Sequence, residues 1–450
     1  MADNQSRETF SNFGFLMSAV GSAIGLGNLW KFPYLTGMSG GGIFVLIYLC
    51  IVVSIGLICT MGEIIIGRHT KLNPIGAYRK LNAKFEFVGV IGVLVAFLIV
   101  TYYNVIGGWI TRYLVAYLTG QGSKVAADPQ AFFTGFITDP VKPVIWTLIF
   151  IAMNQFILAK GISSGLEKAN KIMMPLLFVF IIIIAIRSCT LPGAGKGIEF
   201  YLKPDFSKLT FDTFSAALGQ VFFSLSLGMG IMITYGSYLH DDTSIEKMAL
   251  TIPIFDTSAA LIAGFAILPA VFAFGMEPGQ GPGLIFMTLP AVFDSMPGGH
   301  IIGVLFFLLV LFAALSSSLS LLEVPASYLI DQFGWQRKKA VATLAVVVFL
   351  IGIPESLSNG IFTAQFFGMN FFDFAGYIAE SLLMPLAGFM MCIFLGYFWP
   401  MEEQVGEVMR GNDHKFALKG YYTVIIKFIA PIAIGFIWLN SSGIIKLFTK

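Results

Sequence analysis

This sequence predicts an all-α polytopic membrane protein with about eleven crossings, on three observations. Hydrophobic residues make up 57% of the chain and charged residues only 12%, against roughly 25% charged in a soluble domain. Apolar runs close to the ~20 residues needed to cross a bilayer core recur from one end to the other. Charged and Gly/Pro-rich stretches fall between those runs and punctuate them.

The crossings read at 12–36, 43–67, 88–118, 144–158, 166–186, 211–239, 244–274, 301–330, 340–353, 371–398 and 421–439. Basic residues set the orientation. The groups Arg68 to Lys84, Lys160 to Lys171, Arg337 to Lys339 and Arg410 to Lys419 occupy alternate loops. That bias places the N-terminus in the cytoplasm and, with an odd number of spans, the C-terminus outside. The polar start, 1–11, lacks the charged-then-apolar pattern of a cleavable signal, so the first span is expected to be retained. A net charge of +2 with scattered basic residues gives no support for nucleic-acid binding. Cys50, Cys59, Cys189 and Cys392 lie in or beside apolar runs without metal-ligand spacing and read as buried structural thiols. His69, His240, His300 and His414 fall at span ends or in loops, and no nucleophile–base set is visible, so an enzyme is not expected. The segment 275–299 is rich in Gly and Pro around an apolar middle. It reads either as a lid folded back over the outer mouth or as a loop resting on lipid headgroups.

Two spans break their own rules. The first contains Gly21-Ser22-Ala23-Ile24-Gly25-Leu26-Gly27-Asn28, and the sixth Ser224-Leu225-Ser226-Leu227-Gly228-Met229-Gly230. Each interior glycine costs about 1 kcal/mol of helix stability relative to alanine. Freed backbone groups are tolerated at that depth only where protein or a cavity satisfies them. Breaks five spans apart fit two five-helix repeats of inverted topology, 12–187 and 211–398, with an extra helix at 421–440. Amide ends of such broken helices suit an anion, and carbonyl ends a cation.

Charges inside spans default to functional roles. Lys31, Glu63, Arg112, Asp256, Glu323, Asp331 and Asp373 qualify. Asp256 has no cation near it in sequence, and a buried carboxylate must protonate or find one. Sodium fits, because hard cations take oxygen ligands. In the eighth span Ser316, Ser317 and Ser318 present consecutive hydroxyls, which also serve simply to bond the preceding turn.

These residues resemble the neurotransmitter:sodium symporter family, with its LeuT-type fold, and within it the bacterial eleven-helix hydrophobic amino-acid transporters. The resemblance is carried by GSAIGLGNLWKFPYL (21–35), GQVFFSLSLGMGIMITYGSY (219–238) and FAALSSSLSLLEVP (312–325). It implies two sodium sites. The first comprises Ala23, Asn28, Ser224 and Asp256, and the second Gly21, Ile24, Ala313, Ser316 and Ser317. It implies a solute site walled by Ala23, Leu26, Gly27, Ile99, Tyr103, Phe223, Ser226, Met229, Ser317 and Leu321. It further implies an outer gate of Lys31 with Asp373 and of Tyr103 with Phe223, and an inner gate of Arg7, Asp331 and Tyr238. The pair Gly165 and Pro175 marks where the fifth span unwinds, since proline removes a backbone donor. Two positions depart from the family: Lys31 stands where arginine is usual, losing bidentate geometry, and Phe10 where tryptophan is usual.

With no fixed charge on that wall for a substrate side chain, the expected solute is a zwitterionic amino acid with an apolar or aromatic side chain. The resemblance implies sodium-coupled symport, and Asp256 would supply the negative charge that chloride supplies in eukaryotic relatives, so no chloride requirement is expected. The implied partners are that solute and the lipid bilayer of a bacterial cytoplasmic (inner) membrane. Proton coupling through Glu63, or an amino-acid sensor without net flux, remain the alternative readings.

Overall fold

The computed structural model of the chain describes residues 8–276, 283–410 and 415–442. Long apolar helices dominate it. Eight are long and apolar enough to cross a membrane unaided: Gly42–Thr70, Ala83–Leu118, Ile162–Cys189, Ile245–Ala273, Gly299–Phe333, Arg337–Leu357, Phe371–Phe398 and Lys419–Ser441. They are spans 2, 3, 5, 7, 8, 9, 10 and 11. Span 1 is the bent pair Asn12–Ala23 and Gly27–Met38, with 44° between the halves. Span 4 is Lys142–Leu158, a shorter helix. Span 6 consists of Phe211–Ser224 and Ile231–Gly236, each too short to cross alone. The eleven expected runs therefore all become helical, two of them in halves.

Local chemistry explains where the helices start. Ser11, Asn73, Thr210, Ser244 and Asn370 each turn a side-chain oxygen onto an amide of the following helix, satisfying donors that have no intrahelical partner. Proline follows Asn73 as the first residue of the helix Pro74–Leu81, where its missing N–H is harmless. Spans 2, 5, 10 and 11 carry π-helical turns at Val52–Gly56, Ile162–Glu167, Tyr377–Leu383 and Ile425–Ile429.

Spans 3 and 8 pack along their length, with span 4 against span 3, span 9 against both, and the first half of span 1 against spans 5, 7 and 8. The core is continuous through these helices. Connections are short helices and a two-stranded hairpin, Gln365–Phe366 with Met369–Asn370. The described part of the 275–299 segment folds inward. Leu284, Ile285 and Phe286 are fully buried, Phe286 stacks on Phe133 at 5.0 Å, and its carbonyl accepts the Tyr113 hydroxyl at 3.0 Å. Residues 277–282 lie outside the described residues. The cysteines divide: Cys59 and Cys392 are buried with sulfurs 3.8 Å apart, while Cys50 is exposed and Cys189 only partly covered. The expectation of four buried thiols fails at Cys50 because its helix face points outward.

Candidate solute and cation site

The two breaks are built differently. In span 1 only Ile24, Gly25 and Leu26 separate the halves. Two amides there find side chains: Gly25 donates to Asn28 Oδ1 at 3.2 Å and Leu26 to Tyr103 Oη at 3.3 Å. In span 6 the break runs from Leu225 to Gly230 and takes positive φ at Ser226 (56°), Gly228 (73°) and Gly230 (69°). A side chain at Gly228 would run into the Met384 carbonyl, so glycine is needed for room as well as conformation. The freed Gly228 amide donates to Glu63 Oε1 at 2.7 Å. Serines tie the breaks together. Ser22 Oγ lies 3.1 Å from Ser226 Oγ and donates to Ser320 Oγ at 2.7 Å.

Between the breaks lies a cavity with about 320 Å³ of unfilled space. All ten residues expected around a solute line it, with Ser22, Gly25, Ser224, Ile231 and Ser320 completing the wall. Above it opens a vestibule of about 1090 Å³. Leu26, Tyr103 and Phe223 line both spaces and so form the floor of one and the roof of the other.

Asp256 sits fully buried beside the span 1 break. Asn28 Nδ2 donates to its Oδ1 at 2.7 Å and to its carbonyl at 3.0 Å. Ser224 Oγ lies 2.9 and 2.8 Å from its two carboxyl oxygens, and Tyr48 Oη lies 3.4 Å from Oδ2. Every one of these partners is neutral. Of the second expected cation set, Ser316 Oγ bonds the Ala313 carbonyl at 3.0 Å, and Ser317 Oγ reaches across to the Ser22 carbonyl of span 1 at 3.1 Å. Gly21 faces span 5, where a side chain would press on Asn170 and Met174. Oxygen donors with one full charge suit a hard cation rather than a soft one. Gly165 falls within the π-helical turn of span 5 and Pro175 inside the helix that follows.

The gates differ from expectation. Lys31 does not meet Asp373. Its Nζ lies 2.5 Å from Glu380 Oε2 and 4.3 Å from the Phe223 ring centroid. Tyr102 donates to the other Glu380 oxygen at 2.7 Å. Asp373 sits in the first turn of span 10, where the Asn370 side chain accepts its amide at 2.8 Å and donates to its carboxylate at 2.9 Å. Its place at the cap holds it at the rim, whereas Glu380 lies two turns further along, level with Lys31. All three charges line the vestibule.

At the opposite end, Arg7 lies outside the described residues. Asp331 accepts the Asn73 amide at 2.9 Å and Asn73 Nδ2 at 3.1 Å. Tyr238 donates to Glu323 Oε1 at 2.7 Å, and Arg337 grips both oxygens of Glu323 while donating Nε to the Leu158 carbonyl at 3.0 Å. Phe10, buried, packs edge-on against Tyr235 and Tyr238 and donates its amide to the Tyr238 carbonyl at 3.1 Å. Sequence reasoning missed Glu380, Tyr102, Asn73 and the pairing role of Arg337. The rule that flags charges inside spans would have found Glu380; Glu355 lies just past the expected end of span 9 and is brought inside only because that helix runs on to Leu357.

One stretch of span 3 connects most of this. Thr101 bonds Glu355 of span 9, Tyr102 bonds Glu380 of span 10, Tyr103 bonds Leu26 of span 1, and Asn104 Oδ1 accepts from Ser318 of span 8 and Asn154 of span 4.

Residues 7–124 and 137–448 match the sodium:neurotransmitter symporter family. The chain is 38% identical over 450 residues to an uncharacterized sodium-dependent transporter of Bacillus subtilis (strain 168), YhdH, covering 99% of this chain and 100% of the other. It is 35% identical to an uncharacterized sodium-dependent transporter of Haemophilus influenzae, over 98% of this chain and 99% of the other. Among solved structures, MhsT in complex with L-phenylalanine matches with a TM-score of 0.89 at 42% identity, over 97% of this chain and 100% of that one.

Proposed function

This chain belongs to the sodium:neurotransmitter symporter family, and from that premise we propose that it imports zwitterionic hydrophobic and aromatic amino acids by sodium-driven alternating access. The family is one of sodium-dependent transporters, not enzymes, and the chain is a multi-pass membrane protein of LeuT-type fold. The observation that carries the proposal is Asp256, a carboxylate at membrane depth whose partners are all neutral. Neutral donors orient it but leave its charge uncompensated. A sodium ion between Asp256, Ser224, Asn28 and the Ala23 carbonyl supplies that charge. A second sodium ion, on Gly21, Ile24, Ala313, Ser316 and Ser317, bridges span 1 to span 8.

The solute carboxylate lies on the Leu26 and Gly27 amides with the Tyr103 hydroxyl, and its ammonium on carbonyls of the two breaks. An apolar wall of Ile99, Met229 and Leu321 fits a side chain of the tryptophan, tyrosine or leucine class. The phenylalanine in the MhsT structure supports that reading. The two halves, 12–187 and 211–398, act as inverted repeats, and the vestibule faces outside a bacterial cytoplasmic membrane. Sodium binding favours the state in which both sites are complete, because a ligand shifts an equilibrium only through differential affinity. Entry is controlled by Lys31, Glu380, Tyr103 and Phe223. Exit is controlled by Tyr238, Asp331 and unwinding of span 5 near Gly165 and Pro175. Asp256 provides the fixed negative charge, so chloride is not required.

Proteoliposomes with an inward sodium gradient test this, using labelled tryptophan, gluconate in place of chloride, and a choline control. Uptake with sodium alone supports the proposal. A strict chloride requirement would remove the role given to Asp256, and saturable binding without uptake would favour a sensor. Within the same assay Met229→Phe, which replaces a flexible wall residue by a rigid one, narrows the range of accepted amino acids. An unchanged profile would move Met229 off the wall.

A further inference from the structure

Glu355 takes no part in the mechanism above. It lies near the vestibule end of span 9 and is fully buried. Its Oε1 is 2.7 Å from Thr101 Oγ1, and its Oε2 has no partner among the described residues. The same Thr101 oxygen is 2.8 Å from the Leu98 carbonyl. A threonine hydroxyl holds one proton. It can serve the Leu98 carbonyl and a carboxylate together only by sharing that proton in a three-centre bond, which leaves both contacts weaker than a bond with its own proton. One arrangement gives each contact its own proton: Thr101 donates to Leu98, and a protonated Glu355 donates to Thr101. The bare Oε2 is then a neutral acid carbonyl, whose burial without a partner costs far less than that of a charged oxygen.

Among the described residues, no hydrogen-bonded or ion-paired cation meets Glu355. Span 4 carries one titratable side chain, Lys142 at its first residue, which is paired with Asp139 at 2.6 Å, and span 8 carries none between 301 and 322. Span 3 contributes Tyr102 and Tyr103 beside Thr101, and the start of span 10 contributes Asp373. Lys31, the cation of the vestibule, is held by Glu380. Asp256 is a useful contrast, because its oxygens face the Asn28 amide and two further hydroxyls, donors enough for an ionised group.

We propose that Glu355 is a proton-binding site, a neutral carboxylic acid whose proton completes the Thr101–Leu98 chain and whose removal at alkaline pH disables transport. Deprotonation breaks the Thr101 contact and places an unpaired charge one residue from Tyr102, which holds Glu380, and two from Tyr103, which roofs the solute cavity. The pH sense follows: the acid form is the folded, active form, so function and stability are lost as pH rises.

Infrared difference spectra of purified wild type and Glu355→Gln test the site without any substrate. The carboxylic-acid C=O band lost in the variant is the expected result, because glutamine keeps a donor for Thr101 Oγ1 but has no acid carbonyl. A spectrum whose acid region is unchanged by the substitution overturns the proposal, and so does a loss confined to carboxylate bands, the mark of an ionised group or one holding a metal cation. Should Glu355→Gln fail to fold, Thr101→Val decides. The acid band then shifts upward on losing its hydrogen bond, and an unshifted band counts against the site. Thermal melting completes the test. Wild type is expected to lose stability between neutral and alkaline pH while Glu355→Gln melts at the same temperature throughout; parallel pH profiles for the two proteins overturn the functional half.

Discussion

Toward the vestibule, the Lys31 and Glu380 side chains are 31% and 25% exposed, whereas at the opposite end Arg337 is 17% exposed and Glu323 fully buried. The two ion pairs flank the cavity at opposite ends but differ in strength for a physical reason. A solvated pair is worth about 0–1 kcal/mol. A buried pair is costly to break, about 3–5 kcal/mol when one partner is removed, because the other charge is stranded. Arg337 and Tyr238 both hold Glu323, and Phe10 seals the aromatic layer beside it. The larger open space thus lies on the side of the weaker pair.

Arg337→Ala is the largest test of that difference. It strands Glu323 and is expected to lower stability by about 3–5 kcal/mol, or to shift the protein toward a form open at that end. Chemical denaturation and the reactivity of a cysteine placed at Ser237 read these two effects. Adding Glu323→Gln should recover most of the loss, and a wild-type single variant would show that the pair is not a lock. Glu380→Gln comes next. It removes the charge but keeps an acceptor for Tyr102, and is expected to weaken solute retention by about 1 kcal/mol, seen as a several-fold rise in KM. Asp373→Asn should change less; the reverse ranking would return the gate to Asp373. The smallest effect belongs to the exposed pair of Lys71 with Asp241, 2.9 Å apart. The hydrogen bond and charge of Lys71 hold Asp241 below the usual carboxylate range. Its small contribution is therefore present at neutral pH and lost only as pH falls below the ordinary aspartate value, about 4. Lys71→Gln should leave the neutral-pH melting temperature almost unchanged and flatten only the acid limb.

Much of the fold was legible because burial in lipid forces long apolar runs, and the glycines of the two breaks stand out against them. Positions of the polar groups were legible for the same reason: Asn28, Ser224 and Asp256 are conspicuous in apolar surroundings, and the structure gathers them. Pairings were less so. Lys31 with Glu380 rather than Asp373 depends on how span 10 is rotated, and the π-helical turn at Tyr377–Leu383 changes the face that the residues after it present. The union of Glu323 with Arg337 depends on span 9 starting beside span 8.

By itself the sequence determined the eleven helical runs, the two places where they break, and several of the charges at membrane depth, Glu63, Asp256 and Glu323 among them. Each follows from local rules: run length, glycine cost, and the price of an unsatisfied group in hydrocarbon. Tertiary structure alone decided which acid meets which base, that Thr101 to Asn104 bind five other spans, and that one hydroxyl stands between Leu98 and Glu355. Those outcomes depend on the rotation and register of separate helices, where a shift of one residue turns a side chain to another face, and no local pattern records it.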